Sequence, residues 1–229
     1  MSLEEIAPGL WSHRHTQRSP GGVRGTIRMT VVGLPDGRLL VHAPTPVDDA
    51  LAGEIAARGR VAYVVAPNCY HHLYVLPFLK RFPEAKLHAA PGLGGKRPDL
   101  AFAEPLGDGA AAPWRETLDQ IALPGAPRLN EVVFFHRASR SLLVTDLLFN
   151  VTAPENWQTG LLLRLMGTYK RFGPSRLLRF LTKDRPALKA GVERMLAWDF
   201  VRVLPAHGAV YDGPDPRARA REGLGWVLA

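Results

Sequence analysis

The segment 61–79, with the sequence VAYVVAPNCYHHLYVLPFL, restricts the fold of this chain more than any other part of the sequence. Residues 61–65 form a short apolar run rich in β-branched side chains, which is typical of a buried strand. Pro67 and Asn68 end this run, and an apolar helical pattern follows the adjacent His71 and His72. Because α/β folds collect ligands at the carboxyl ends of strands, the two histidines are either metal ligands or a capping and packing feature.

The rest of the sequence alternates between patterns of strands and of helices. A hairpin is predicted over 26–43, and the helix after it begins at Asp48 or Asp49, whose side chains are good N-caps. Residues 107–109 are predicted to form a turn, and His136 is predicted to be exposed beside another turn. Further strands are predicted at 86–90, 119–123, 131–136, 141–145 and 200–204, and further helices at 73–82, 157–166, 175–181, 187–198 and 217–226.

Length and cysteine content narrow the class of protein. The chain has 229 residues, which predicts a single domain over 1–229, with the basic helical segment at about 155–190 as an insertion. No apolar run reaches the roughly 18–20 residues that span a bilayer, and no secretory signal is visible at the N-terminus. A single cysteine, Cys69, excludes an intrachain disulfide and fits a reducing compartment. We therefore expect a cytoplasmic protein without a transmembrane segment.

The charge of the chain is unevenly distributed. The formal net charge is +8, and much of the excess lies in the helical segment between Arg164 and Lys189. This segment is either a set of amphipathic helices with a solvated basic face, or a site for anionic substrates or a membrane surface. Nucleic acid is not an expected partner, because no zinc-finger spacing, helix-turn-helix signature or RNA-binding aromatic motif accompanies the charge.

Three predicted strands end in side chains that can bind a metal ion. His71 and His72 follow the first, Asp146 ends the strand at 141–145, and His207 follows the strand at 200–204. If these strands lie side by side in one orientation, three imidazoles and a carboxylate converge, a set that suits zinc, manganese or iron. A divalent ion held there can activate water as a nucleophile.

The order of these motifs resembles that of the metallo-β-lactamase superfamily of metal-dependent hydrolases. That superfamily has a strand leading to H-x-H-x-D-H, then a P-G-H turn, a strand ending in G-D and a last strand followed by H-G. Here the corresponding places hold residues 67–72, 124–126, 145–146 and 207–208. The resemblance implies an α/β fold, namely a four-layer αββα sandwich of two mixed sheets flanked by helices. The APN-x-x-HHL and HAPTP segments are similar to a branch described only as domain of unknown function 4336.

The departures from the superfamily pattern affect one of its two metal sites. The positions of the first site hold Pro67, Cys69 and Ala126, so the resemblance implies that this site is lost. The positions of the second site hold His71, His72, Asp146 and His207, all capable ligands, with histidine replacing aspartate at the first. The resemblance therefore implies at most one divalent ion, to which Cys69 adds a soft ligand unless it is a packed thiol.

Two functions remain open on the sequence alone. One is a metal-dependent hydrolase with a single metal site, acting on a small ester, thioester or lactone. If the basic segment covers the entrance to that site, the substrate is expected to be anionic. The other is a degenerate, non-catalytic member of the fold that binds a ligand or partner. Asn68 and Tyr70 are either polarising or acid–base groups or parts of the turn, and the oligomeric state is left open.

Overall fold

The larger sheet of the protein is mixed and contains six strands. In the computed structural model, which describes residues 2–108 and 112–229, its strand order is β1-β2-β3-β4-β5-β6. The first four strands are antiparallel, and β5 and β6 add in parallel to β4. The strands are β1 (Glu4–Ala7), β2 (Leu10–Arg18), β3 (Arg24–Gly33), β4 (Arg38–His42), β5 (Arg60–Ala66) and β6 (Lys86–Ala89).

The second sheet has four strands in the order β12-β9-β8-β7. β12 runs parallel to β9, whereas β9, β8 and β7 are antiparallel neighbours. β10 and β11 form a separate two-stranded ribbon. The bounds of these strands are β7 (Leu118–Ala122), β8 (Val132–His136), β9 (Ser141–Val144), β10 (Phe149–Asn150), β11 (Phe172–Gly173) and β12 (Arg202–Pro205).

Helices connect the strands, and most of the longer ones begin at a polar capping side chain. Asp48, Asn156, Ser175, Asp184 and Asp215 each accept a hydrogen bond from a backbone N–H of the first turn. The helices are α1 (Asp49–Ala56), α2 (Val75–Arg81), α3 (Leu93–Lys96), α4 (Trp157–Met166), α5 (Arg176–Leu181), α6 (Arg185–Leu196), α7 (Pro216–Gly223) and α8 (Gly225–Leu228). Among the described residues, no helix is long and apolar enough to cross a bilayer.

Three separate apolar clusters define the layers. One lies between α1, α2 and the larger sheet and includes Leu51, Val64 and Phe78. A second, which includes Val65 and Phe134, fills the space between the two sheets. The third packs α6 and the C-terminal helices against the second sheet. The layers are therefore helix, sheet, sheet and helix, which confirms the αββα sandwich predicted from the sequence.

Most predicted elements occur within a few residues of their expected places, but one burial prediction is wrong. His136 is 2% exposed, because β8 has neighbours on both sides, and its Nδ1 lies 2.7 Å from Ser139 Oγ. The predicted turn at 107–109 includes Gly109, which lies outside the described residues. The description of residues 1–229 as one domain, with an insertion at about 155–190, stays a prediction.

His42, the last residue of β4, is a buried histidine that makes folding stability depend on pH. Its ring packs edge-on against Phe134, with the centroids 5.4 Å apart. Burial, with a smaller effect of the charge on His71, lowers its pKa from 6.5 to about 3. Between these values the unfolded chain binds a proton that the folded chain does not, so stability is lost as pH falls below about 6.5.

We expect His42→Leu to flatten the pH dependence of the free energy of unfolding. The loss attributable to His42 between pH 7 and pH 5 is about 2 kcal/mol, and leucine does not titrate. Leucine has a similar volume, and among the described residues Nε2 of His42 has no hydrogen-bond partner, so the substitution removes no hydrogen bond from that atom. Denaturant titrations of both proteins at the two pH values test this, and equal slopes would contradict it.

Candidate metal centre

A turn built on Asn68 positions His71 beyond the carboxyl end of β5. Asn68 Oδ1 accepts hydrogen bonds from the backbone N–H groups of Tyr70, at 2.8 Å, and His71, at 2.7 Å. Its Nδ2 donates to Asp146 Oδ2 at 2.7 Å and to Thr145 Oγ1 at 2.9 Å. Asn68 is fully buried, and it joins the loop after β5 to the loop after β9.

Asp146 lies two residues beyond β9, at a point fixed by a buried carboxylate. Glu131 Oε1 accepts a hydrogen bond from Thr145 N at 2.6 Å, and Oε2 accepts one from Asp146 N at 2.8 Å. Glu131 is 2% exposed, so these backbone amides are held without competing water. Burial, reinforced by the charge of Asp146, raises the pKa of Glu131 to about 7.

His207 comes two residues after Pro205, which pairs with Val144 in the parallel register of β12 and β9. Asp146 likewise follows Val144 by two residues, so the register brings the two side chains to the same sheet edge. Gly208 then has a φ of +93°, and a Cβ there would lie 2.1 Å from Asn150 O. This close approach requires glycine and explains the His-Gly pair in the sequence.

The ring of His207 is held by the backbone and by an aromatic neighbour. Its Nδ1 lies 3.0 Å from Thr26 O, a contact in which the ring nitrogen must be the donor. The ring stacks on Phe149 with an interplanar angle of 7°. Donation from Nδ1 leaves the lone pair of Nε2 available to a ligand, which is the arrangement found around metal-bound histidines.

Arg28, in the middle of β3, holds the turn that carries His207. Its Nε donates to Pro205 O at 3.0 Å, Nη2 to Gly208 O at 2.7 Å and Nη1 to Ser12 Oγ at 2.9 Å. The residue is 2% exposed, and burial lowers its pKa to about 10, so it remains charged at neutral pH. The guanidinium therefore ties β3 to both ends of the 205–208 turn.

His71, Asp146 and His207 converge beyond the ends of β5 in one sheet and of β9 and β12 in the other. His71 Nε2 lies 3.2 Å from His207 Nε2 and 3.4 Å from Asp146 Oδ2, while His207 Nε2 lies 3.4 Å from Asp146 Oδ1. The side chains of His71, Asp146 and His207 remain 11%, 19% and 23% exposed, respectively, so solvent or a small ligand can reach them. Within the described residues, the ligand atoms of these three side chains lie close enough to one another to share one metal ion.

The protonation of this group is shifted by its own contacts. Burial acts to raise the pKa of Asp146, but the charges and hydrogen bonds of His71 and His207 outweigh it and hold that pKa well below its usual range. Burial acts to lower the pKa of His207, but the hydrogen bond and charge of Asp146 outweigh it and raise that pKa. Asp146 is therefore ionised at neutral pH, as a metal ligand must be.

The donor set fits a divalent ion. Ligand atoms about 2.0–2.1 Å from a tetrahedral zinc ion are separated from one another by about 3.3–3.4 Å, close to the separations among these three side chains. Two imidazole nitrogens and one carboxylate leave a position open for a further ligand, as catalytic sites require. The hydrogen bonds from His207 to Thr26 and from Asn68 to Asp146 supply the outer contacts that orient such ligands.

The other predicted residues lie around this group rather than in it. His72 points elsewhere, with Nδ1 3.0 Å from Arg97 Nη1. Cys69 is 5% exposed and directs its thiol to Pro91 O at 3.6 Å, and Ala126 is buried in the apolar core. Asn68 is a buried link between two loops, whereas Tyr70 is 38% exposed and borders the cavity in front of the metal ligands.

Two cavities meet at Asp146 and His207. One, of about 300 Å³, is lined by Tyr70 and His71 together with residues of β2, β3 and α5. The other, of about 180 Å³, lies against α4 and is lined mainly by apolar side chains, including Phe149. The larger cavity is at the lower end of the size range of sites for small molecules.

Sequence reasoning missed Arg28, Glu131 and Thr26, although two of them carried a signal. Arg28 lies between Ile27 and Met29 in an apolar strand, and Glu131 directly precedes the run VVFFH. A charged residue within or directly beside a buried strand needs polar partners, and this requirement marks both residues. Thr26 acts through its backbone carbonyl, so its identity carries no signal.

Solved structures of other proteins share the fold of this chain. The DIM-1 metallo-β-lactamase exposed to ceftazidime superposes with a TM-score of 0.68 at 13% identity, covering 98% of this chain and 96% of its own. The mono-zinc form of FIM-1 from Pseudomonas aeruginosa gives 0.62 at 13% identity, covering 99% and 92%. The metal-soaked Flv1 flavodiiron core from Synechocystis sp. PCC6803 gives 0.66 at 14% identity, covering 98% and 60%. The protein therefore has the metallo-β-lactamase fold.

The sequence itself identifies the family to which the chain belongs. Residues 10–161 match the family described as a domain of unknown function (DUF4336), and the chain belongs to that family. A search of curated protein sequences found no match. The match spans His71, Asp146 and the strands that carry them, whereas His207 lies beyond its last residue.

Proposed function

We propose that this protein is a metal-dependent hydrolase that holds one divalent ion through His71, Asp146 and His207. The observation that carries the proposal is the convergence of three ligand atoms at separations of 3.2–3.4 Å, with Nδ1 of His207 donating to Thr26 O. Zinc, manganese and iron all accept such a set of nitrogen and oxygen donors. His72 is left out of the proposed ligand set because it contacts Arg97 instead.

The proposed substrate is a small ester, thioester or lactone. A divalent ion in this site supplies Lewis acidity toward a carbonyl oxygen and toward water. The protein contributes orientation: Asn68 and Glu131 hold Asp146, and Arg28 holds the turn of His207. In this proposal the 300 Å³ cavity takes the reacting group beside Tyr70, and the apolar cavity under α4 takes a hydrocarbon part of the substrate.

Metal content of the untagged protein tests the proposed site. We expect about one equivalent of zinc, manganese or iron by elemental mass spectrometry, lost in His71→Ala and in His207→Ala. His72→Gln is the matched control, because this neighbouring histidine does not face the other ligands, and it is expected to retain the metal. Absence of metal after reconstitution with each ion would refute the hydrolase, whereas metal loss in His72→Gln would restore His72 as a ligand.

A non-catalytic member of the fold is the second candidate, and one observation favours it. Cys69 and Ala126, at positions where the superfamily pattern has histidine, are buried in packing contacts and offer no further metal site. If metal is bound but no ester, thioester or lactone in a broad panel is hydrolysed above the rate of the His207→Ala variant, this candidate is preferred. Turnover that disappears with the metal would exclude it.

A further inference from the structure

Helices α4 and α5 present large apolar side chains to solvent. On α4, Trp157 is 73% exposed, Leu161 50% and Leu165 65%. These residues are spaced four apart, so they lie on one face of the helix. On the adjacent α5, Phe180 is 70% exposed and Leu177 44%. Exposed apolar groups clustered in this way mark an interaction surface.

The same segment carries most of the excess positive charge. Residues 156–183 contain six basic residues and no acidic one, in a chain whose net charge is +8. The basic residues are Arg164, Lys170, Arg171, Arg176, Arg179 and Lys183, and all six are exposed. Among the described residues, none of them forms a salt bridge with a carboxylate. Their charge is therefore available to an external partner.

Basic and apolar groups are interleaved on this surface. The Arg164 guanidinium lies 3.8 Å from the centroid of the Tyr169 ring, and Lys183 Nζ lies 5.7 Å from that of Phe180. Arg176 Nη1 donates to Leu165 O at 3.3 Å, which joins the start of α5 to the end of α4. A partner must therefore offer negative charge and an apolar environment within a few ångströms of each other.

We propose that α4 and α5 bind the surface of bilayers that contain anionic phospholipid. Such a surface places phosphate charge directly above an apolar layer, which matches the interleaved groups. A duplex nucleic acid offers the charge but no apolar layer for Trp157, Leu165 and Phe180. A second copy of this chain would bring like charges together. The helices would lie on the bilayer, and the proposal does not depend on a metal.

Helices α4 and α5 also border the two cavities beside the candidate metal centre. Leu177 of α5 lines the cavity that contains His71 and Asp146, and Leu162 of α4 lines the apolar cavity beside His207. Docking of these helices on a bilayer would bring both cavities to the level of the lipid headgroups. An amphiphilic ligand would then reach the cavities without crossing bulk water.

Co-sedimentation with lipid vesicles tests the proposal on the full chain. We expect binding to vesicles of equal parts phosphatidylcholine and phosphatidylglycerol, and at least about tenfold weaker binding to phosphatidylcholine alone. Raising the salt from about 0.1 M to about 0.5 M should also weaken binding, because screening shortens the reach of the charges. Equal binding to both kinds of vesicle, or binding to neither, would overturn the proposal.

Two double variants distinguish binding through this surface from binding that depends only on the net charge of the protein. Arg179→Gln with Lys183→Gln is expected to weaken binding to the anionic vesicles at least about tenfold. Lys80→Gln with Lys86→Gln removes the same charge from exposed residues outside the segment and should retain most of the binding. Equal losses in both variants would contradict the assignment of the surface to α4 and α5.

A third double variant tests how much the exposed apolar side chains contribute to vesicle binding. Trp157→Ser with Leu165→Ser changes two exposed residues, so the fold should be retained, and a circular dichroism melt checks this. Binding to anionic vesicles should fall at least about tenfold, because less apolar surface is buried. If the protein is instead a dimer that these substitutions dissociate, and vesicles do not bind, then a second copy covers this face and the proposal fails.

Discussion

Replacing Glu131 with alanine is expected to lower the free energy of unfolding by about 4 kcal/mol. Each of two backbone N–H groups loses its acceptor, at a cost of about 1–3 kcal/mol, and the smaller side chain also leaves a cavity. The carboxylate is 2% exposed and accepts the backbone amides of Thr145 and Asp146. Denaturant titration of the purified variant measures the loss.

The same change should also affect the candidate metal centre. Glu131 fixes the backbone of Asp146, so its loss frees the carboxylate that lies 3.4 Å from His71 and from His207. Loss of such an outer contact typically costs about 10–100-fold in metal affinity. Glu131→Gln is the control, because it keeps the size and one acceptor oxygen and should lose about half as much stability. Wild-type stability in Glu131→Ala would contradict the role of this carboxylate.

Replacing Arg28 with methionine is expected to lower the free energy of unfolding by about 3 kcal/mol. Three hydrogen bonds from a charged donor are lost, each contributing about 1.5–3 kcal/mol, and removal of a buried charge offsets part of that loss. The bonds join β3 to Pro205, Gly208 and Ser12, so the turn that carries His207 should become more mobile. Hydrogen exchange of the amides of residues 206–209, together with denaturant titration, measures both effects.

Lysine at position 28 is the informative control for the methionine variant. Its ammonium group keeps the charge but lacks the planar fork that reaches both ends of the 205–208 turn. We expect Arg28→Lys to lie between the wild type and Arg28→Met in stability and in amide protection. If the lysine variant matches the wild type in stability and in amide protection, then a positive charge alone holds the turn, and the role assigned to the planar guanidinium is wrong.

Local patterns in the sequence were sufficient for much of the architecture. The short β-branched run before Pro67 marks β5, and the Asp48 cap marks α1, because both features act within a few residues. The placement of His71, Asp146 and His207 after strands also follows from the sequence. Their convergence follows once the parallel pairing of β12 with β9 and the stacking of the two sheets are known.

The orientation of adjacent side chains could not be predicted from the sequence. His71 and His72 are neighbours in the chain, yet one faces Asp146 and the other contacts Arg97. The Asn68 turn and the distant Arg97 set these directions, and neither contact follows from the spacing of the two histidines. The wrong prediction for His136 has a similar origin, since burial at the end of a strand depends on the strands beside it.

The sequence by itself therefore determined the fold class, the family and the three strand ends that carry candidate ligands. Tertiary structure decided which histidine joins Asp146, and that Glu131, Arg28 and the carbonyl of Thr26 hold the group together. The physical reason is the range of the interactions involved. Strands and caps depend on nearest neighbours, whereas Arg28 contacts Pro205 and Gly208 at 177 and 180 residues' separation, distances along the chain that only the folded protein closes.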